Sequence, residues 1–502
     1  MSRLTIYFTS DTHGYLFNTN FASTRKIPMG LLGMRFPKDG NTLVIDGGDT
    51  IQGSPLTFYL YGQGKPAFVA EAMNDREYDY VTLGNHDFNR GRAWLSGHLE
   101  TLNAQCLCAN VQDRKGELPI RPWTVRVMEN GLRVGLFGIV TDWIRVWEKP
   151  ENLTDFSLTS PLEAAREAVQ ALQQEGCDLL VGIYHGGLEK DIKTGKVLSD
   201  TDENLACRIC EELPVDILLT GHQHVGMADM TYCGTHIVQT DCNAKNYVHL
   251  VVEDDGSIHS QLCIPPEDQT LTEAESAVRN DLEVWLDSPI GHLSRDLLPG
   301  DRMDMALNGS GIADFFNMVQ AEESGADLSC AALPNEVRGF RKDVTVRDVV
   351  ASYVYANTLK VLRVTGRQVR EALEQCATYF HVDENGGLSI SDHFLYPKEA
   401  HFNYDFFWGF DYVLDLNQPV GHRVRHMVYR GQEMRDTDSF SLVMCDYRAT
   451  GAGDFPMWKE APREKEIMTE VSELILSTLS SHEMIEVPRT HPIRCILPGQ
   501  TE

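Results

Sequence analysis

Five short polar clusters in the first half of the chain carry residue types that bind metal ions. They read Asp11-Thr12-His13, Asp46-Gly47-Gly48-Asp49, Gly84-Asn85-His86-Asp87, His185-Gly186-Gly187 and Gly221-His222-Gln223-His224. Each follows directly on an apolar run, at 4–9, 43–45, 80–83, 179–184 and 217–219. Taken singly, such clusters are common: a DxH is usually a loop, and a histidine after a strand is usually a hydrogen-bonded core residue. Together they offer seven or eight oxygen and imidazole ligands, which suits two divalent ions sharing one carboxylate. A pair of ions of that kind clamps phosphate oxygens and an attacking oxygen together, so the chemistry indicated is phosphoester hydrolysis. Mixed Asp, Asn and His ligands fit zinc, manganese or iron equally well.

These ligands lie far apart in sequence, so elements must bring them together. Apolar runs predict strands at 4–9, 42–46, 79–83, 133–140, 178–184, 215–219, 235–239 and 247–252. Their carboxyl ends would share one sheet edge, where α/β folds place ligands. Glycines beside each ligand let the backbone turn sharply and approach a cation. Residues 161–175 predict an amphipathic helix with Leu162, Ala165, Val169 and Leu172 on one face, opened by Ser160, Pro161 and Glu163. The pattern is α/β with some α+β character. A break at Pro265-Pro266 and a helical stretch at 269–285 suggest a boundary, after which a second α/β pattern begins near 296. There, Thr345 and Asp348 predict a capping box, and Thr365-Gly366 opens a helix running to about Phe380. Further strands are expected near 359–364, 410–415 and 439–445. The organisation expected is 1–265, a connecting 266–295, 296–485 and a tail at 486–502.

The chain's 502 residues exceed what one hydrophobic core supports, and its net charge of −29 repels nucleic acid and anionic membrane. No apolar run of some 18 residues suggests a spanning helix, and no leader-like stretch precedes the first strand, so a cytoplasmic location is expected. Twelve cysteines are too sparse for a disulfide scaffold. The Cys207/Cys210 pair is read as one face of a helix over 202–213 rather than a redox or zinc pair. The sequence leaves oligomeric state open.

The ordered set DxH, GD, GNHD, HGG and GHxH resembles the calcineurin-like metallophosphoesterases. The strings Gly47-Gly48-Asp49-Thr50-Ile51-Gln52-Gly53-Ser54 and Leu83-Gly84-Asn85-His86-Asp87-Phe88 resemble the 5′-nucleotidase branch of that family. The resemblance extends over essentially the whole chain. It implies a four-layer β-sandwich flanked by helices, with a smaller α/β C-terminal domain that rotates to deliver substrate. It also implies one metal held by Asp11, His13, Asp49 and His224, and another by Asp49, Asn85, His185 and His222, with Asp49 shared. His86 would sit over the phosphoryl group, its ring oriented by Asp87.

For the C-terminal part, the loops 401–412 and 446–457 resemble those that sandwich a nucleobase, which implies stacking by Tyr404 and Tyr447. Asn403-Tyr404-Asp405 with Tyr412, Gly421-His422-Arg423-Val424, Tyr447-Arg448-Ala449-Thr450-Gly451 and 353–359 resembles the 2′,3′-cyclic-nucleotide 2′-phosphodiesterase/3′-nucleotidase group. The glycine run expected of 5′-nucleotidases is absent at 330–339. Arg338 there is either a bidentate phosphate contact or a solvated arginine. The expected substrates are small nucleotides, foremost 2′,3′-cyclic nucleotides and 3′-nucleotides. A 5′-nucleotidase or nucleotide-sugar hydrolase is the alternative, and a nucleotide-binding protein on a decayed phosphoesterase fold is the non-enzymatic one.

Overall fold

The computed structural model describes residues 2–198, 202–355, 357–396, 399–488 and 492–500. Ala356, within the 353–359 string, and part of the expected 486–502 tail lie outside the described residues. The chain divides into two compact units, Met1–Glu283 and Val284–Glu502. The division falls inside the helix Glu273–Leu286, within the stretch expected to connect two domains.

The first unit is built on two sheets. One has seven strands, in the order Ile258–Cys263, Tyr247–Glu253, Ser2–Thr9, Thr42–Asp46, Tyr80–Val81, Gln105–Leu107 and Ile120–Arg121. The other has six, in the order Met227–Tyr232, Thr235–Gln239, Ile217–Thr220, Leu179–His185, Arg133–Val140 and Trp123–Val127. Between them Leu4, Ile6, Phe8, Leu43 and Ile45 pack with Val134, Leu136, Val181, Ile183, Ile217 and Leu219. Because strand side chains alternate, the same strands bury their other faces under helices. Pro161–Gln174 and Ala206–Glu212 cover the second sheet through Leu162, Ala165, Val169, Leu172 and Ile209. Phe68–Asn74 and Gly91–Leu99 meet the first through Met73, Leu95 and Leu99. The result is helix, sheet, sheet, helix.

Strand Ser2–Thr9 pairs in parallel with Thr42–Asp46, which pairs in parallel with Tyr80–Val81. Leu179–His185 pairs in parallel with Ile217–Thr220. Parallel register puts the ends of the ligand-bearing strands on one side within each sheet. Ser160 caps its helix, accepting from the Glu163 amide at 3.5 Å, but Glu163 does not complete the capping box. Cys207 and Cys210 are buried in the helix Ala206–Glu212, and burial pushes both thiols up to about 12. That is an inert pair on one helix face.

In the second unit a five-stranded sheet runs Asp405–Trp408, Leu328–Ala332, Ser439–Cys445, Leu359–Thr365 and Arg463–Ile467. A four-stranded sheet contains Asp411–Asp415 and Val424–Tyr429. The expected capping box of Thr345 with Asp348 forms, and the helix expected from Thr365-Gly366 runs over Gly366–Ala377, with Thr365 and Gln368 forming a second box. Leu328, Leu362, Leu373, Phe407, Leu414 and Leu442 build this unit's own core.

Candidate metal centre

The strand Ser2–Thr9 is followed by Ser10 and presents Asp11 and His13 in a buried loop. Thr42–Asp46 leads to Asp49, Leu179–His185 ends on His185, and Ile217–Thr220 leads to His222 and His224. Five of these residues take positive φ: Asp11 (54°), His13 (48°), Asp49 (56°), His222 (73°) and His224 (57°). Each such residue costs about 1–3 kcal/mol, so the surrounding fold must over-determine the loops. The glycines make room for them. A Cβ on Gly84 would stand 2.1 Å from Asp49 Oδ1, and one on Gly221 would stand 2.6 Å from Asp11 Oδ2.

Among the described residues, two groups of ligand atoms gather within 4.8 Å: Asp11, His13 and His224, and Asp11, Asp49 and His185. Asp11 is common to both, where the resemblance gave the shared place to Asp49. Asn85 Oδ1 lies 3.2 Å from His185 Nε2. His222 stands slightly apart, its ring 5.6 Å from that of His185, its Nε2 3.0 Å from Glu203 Oε1 and its face stacked on Trp147.

The hydrogen bonds behind these groups decide what they can hold. His13 Nδ1 lies 2.9 Å from the Gln52 carbonyl, and His185 Nδ1 lies 2.7 Å from the Gly47 carbonyl. A carbonyl only accepts, so both Nδ1 atoms are N–H donors, and a neutral ring then turns a lone pair inward at Nε2. His185 Nε2 is 3.1 Å from Asp49 Oδ2. His224 Nε2 is 3.2 Å from His13 Nε2 and 3.4 Å from Asp11 Oδ1. Lone pairs and carboxylates facing one another at such range favour positive charge between them. The protein groups alone respond in that sense. Burial resists charge on His185, yet the Asp49 and Asp11 carboxylates lift its imidazole to about 9. Burial also opposes ionisation of Asp11, but His224 and His185 hold it at about 2. Burial, with His224 beside it, pushes His13 down to about 4. The donor set therefore fits divalent cations.

His86 is buried beside these groups, its ring 5.4 Å from that of His13. Its backbone N–H donates to Asp49 Oδ1 at 2.7 Å. Asp87 does not orient the His86 ring, contrary to expectation. Its carboxylate accepts from the backbone amides of Asp49, Thr50, Ile51 and Gly84 at 2.8–3.2 Å, so it ties two ligand loops together. The physical reason is chain direction: the turn after Asn85 points the Asp87 side chain back into the loops. The group that meets His86 Nδ1 is Asn89 Oδ1, at 2.8 Å.

In the second unit, a cavity of about 270 Å³ is lined by Gln320, Tyr353, Tyr355, Phe402, Tyr447 and Arg448, among others. Tyr447 is 46% exposed and available to a ligand. Tyr404 is not. It is only 3% exposed, its hydroxyl donates to the Ala306 carbonyl at 2.8 Å, and its ring packs on Tyr379, Phe380 and Phe406. Tyr404, just before the strand Asp405–Trp408, turns into the core, and Phe402 and Tyr355 line the cavity wall. Arg338 is exposed and is not part of that lining. Arg448 is held in the wall by Asp405, with Nη2 2.9 Å from Oδ1, and by the Phe402 carbonyl at 2.8 Å.

Asn89, Glu203, Tyr355 and Phe402 were not singled out from sequence. Asn89 follows His86 by three residues, a spacing that could have flagged it. Glu203 carried no such signal.

Comparison with known proteins agrees in both halves. The calcineurin-like phosphoesterase family matches residues 4–226, and the 5′-nucleotidase C-terminal domain family matches 289–460. A Staphylococcus aureus protein described as a 5′-nucleotidase, solved with alpha-ketoglutarate, is 32% identical and superposes with a TM-score of 0.69 over 98% of this chain and 99% of that one. The Salmonella typhimurium 2′,3′-cyclic-nucleotide 2′-phosphodiesterase/3′-nucleotidase is 24% identical over 82% of this chain and 74% of its own length. The trifunctional nucleotide phosphoesterase of Bacillus subtilis is 23% identical over 90% of this chain, which spans only 36% of that protein.

Proposed function

Since the chain belongs to the calcineurin-like phosphoesterases that carry a 5′-nucleotidase C-terminal domain, we propose that it hydrolyses nucleotide phosphoesters at a centre of two divalent cations. Asp11, His13 and His224 would hold one cation, and Asp49, Asn85, His185 and His222 the other, with a carboxylate between them. The observation that carries this reading is the convergence of the His13 and His185 lone pairs, each fixed by an Nδ1–H bond to a carbonyl, on buried carboxylates. When bound, such cations supply the charge that binds phosphoryl oxygens and activates water. His86 stands beside them, with its Nδ1 occupied by Asn89 and its Nε2 left for the phosphoryl group or the leaving oxygen.

The substrates we favour are 2′,3′-cyclic nucleotides and 3′-nucleotides, on the motifs of the second unit and the Salmonella relative's name. The 32% identity to a protein described as a 5′-nucleotidase favours a second reading, 5′-nucleotide hydrolysis. Metal analysis of the pure protein beside phosphate release from 2′,3′-cAMP, 3′-AMP, 5′-AMP and UDP-glucose separates them. Release from the first two and not the others supports the first reading. Preference for 5′-AMP or UDP-glucose overturns it. Metal-loaded protein that hydrolyses none overturns both.

A further inference from the structure

The His86 contacts continue beyond Asn89. Asn89 Nδ2 donates to Glu148 Oε2 at 2.5 Å. Glu148 Oε1 accepts from Asn152 Nδ2 at 2.9 Å and from the Lys149 amide at 2.7 Å. Asn152 Nδ2 also donates to the Asn89 carbonyl at 2.9 Å. Glu148 closes the helix Ile144–Trp147 and Asn152 lies in the next helix, Pro150–Leu153, so a separate segment of the first unit holds the far end of this chain of bonds.

The chain has a direction. An ionised carboxylate accepts only, so Asn89 must turn its NH₂ to Glu148. Its Oδ1 then faces His86 and can only accept, so the His86 proton sits on Nδ1. Nε2 is thereby left as the working nitrogen. We propose that Glu148 is a positioning residue for His86 that acts through Asn89: it orients the Asn89 amide, and the amide fixes the tautomer and ring plane of His86. The link next to the imidazole is neutral, with the carboxylate one residue further out. His86 is thus oriented with no carboxylate among the described residues hydrogen-bonded to its ring. This inference rests on the phosphoesterase reading for its role in turnover, but not for its geometry.

The test uses the full-length enzyme. Asn89→Ala and the near-isosteric Glu148→Gln should each lower kcat roughly 10- to 100-fold. KM and metal content should stay within about two-fold. In a His86→Ala background the same changes should lower kcat no further, because they act through that ring. The pair Asn89→Asp with Glu148→Gln moves the carboxylate one step inward and rebuilds a donor–acceptor chain, so it should recover most of the rate that Asn89→Asp alone loses. Nitrogen-15 NMR of the histidines in metal-free protein should show His86 protonated at Nδ1, shifting toward the other tautomer in Glu148→Gln. Additive losses in the His86→Ala background, or an unchanged tautomer in Glu148→Gln, would overturn the relay. Should the wild-type protein hydrolyse no phosphoester with any divalent metal, the functional reading fails, and the NMR measurement still decides the relay.

Discussion

Asp49 links three parts of the centre: Oδ1 accepts from the His86 amide, Oδ2 faces His185, and its own amide is held by Asp87. Asp49→Asn keeps the volume and removes the charge. We expect kcat to fall on the order of 10²- to 10³-fold, with bound metal per chain reduced, as read by elemental analysis. His98 offers a test away from the centre. It is buried in the helix Gly91–Leu99 with Nδ1 lacking a partner among the described residues, and burial pushes its imidazole down to about 3. The folded state therefore refuses a proton that the unfolded chain accepts near 6.5. The stabilising effect is present above pH 6.5 and is lost as pH falls from there toward 3. In that window the slope is about 1.4 kcal/mol per pH unit for this group. His98→Leu should remove that part of the acid sensitivity in denaturant titrations run between pH 7 and 5. An unchanged slope would refute it.

Strand ends set the ligand positions, and the loops between them have no slack. Gly84 follows the strand Tyr80–Val81, and a Cβ there would meet Asp49 Oδ1 and, at 2.3 Å, the Asp49 backbone nitrogen. Backbone cannot move aside as a flexible side chain can. Gly84→Ala should therefore lose metal and activity together while circular dichroism shows the sheets intact. In the second unit the strand Asp405–Trp408 and the short helix Asp446–Ala449 are joined by the buried Asp405–Arg448 pair. Breaking it leaves an unpaired charge. Arg448→Ala should destabilise that unit by about 3–5 kcal/mol, measured by denaturant unfolding. A change below about 1 kcal/mol would mean that the pair is solvated.

Across the whole molecule, each unit has its own core, so each should unfold as its own transition. Cations that bind the first unit should raise only its transition, by about 2.7 kcal/mol at a concentration 100 times Kd. Calorimetry with and without chelator measures this, and Arg448→Ala identifies the second transition by lowering it. A chelator effect on both transitions would place the ligands, or part of them, outside the first unit. The formal charge of −29 gives no broad basic surface for nucleic acid, so any attraction for phosphates must be local. No helix among the described residues is long and apolar enough to cross a membrane.

The sequence by itself determined which residue types would gather. Apolar runs of the right length became the strands Ser2–Thr9, Thr42–Asp46, Leu179–His185 and Ile217–Thr220, and the polar clusters at their ends brought Asp11, Asp49, His185 and His224 together. Period and punctuation are local properties, and they survive into the fold. What the tertiary structure decided is direction. A turn aimed Asp87 at backbone amides instead of the His86 ring, and packing against Tyr379 and Phe406 buried Tyr404, while Tyr447, in the short helix Asp446–Ala449, stayed on the cavity. Glu148 and Glu203 reached Asn89 and His222 from distant segments. Side-chain direction depends on a single residue of register, and long-range pairing depends on which sheets meet. Neither is encoded in spacing along the chain.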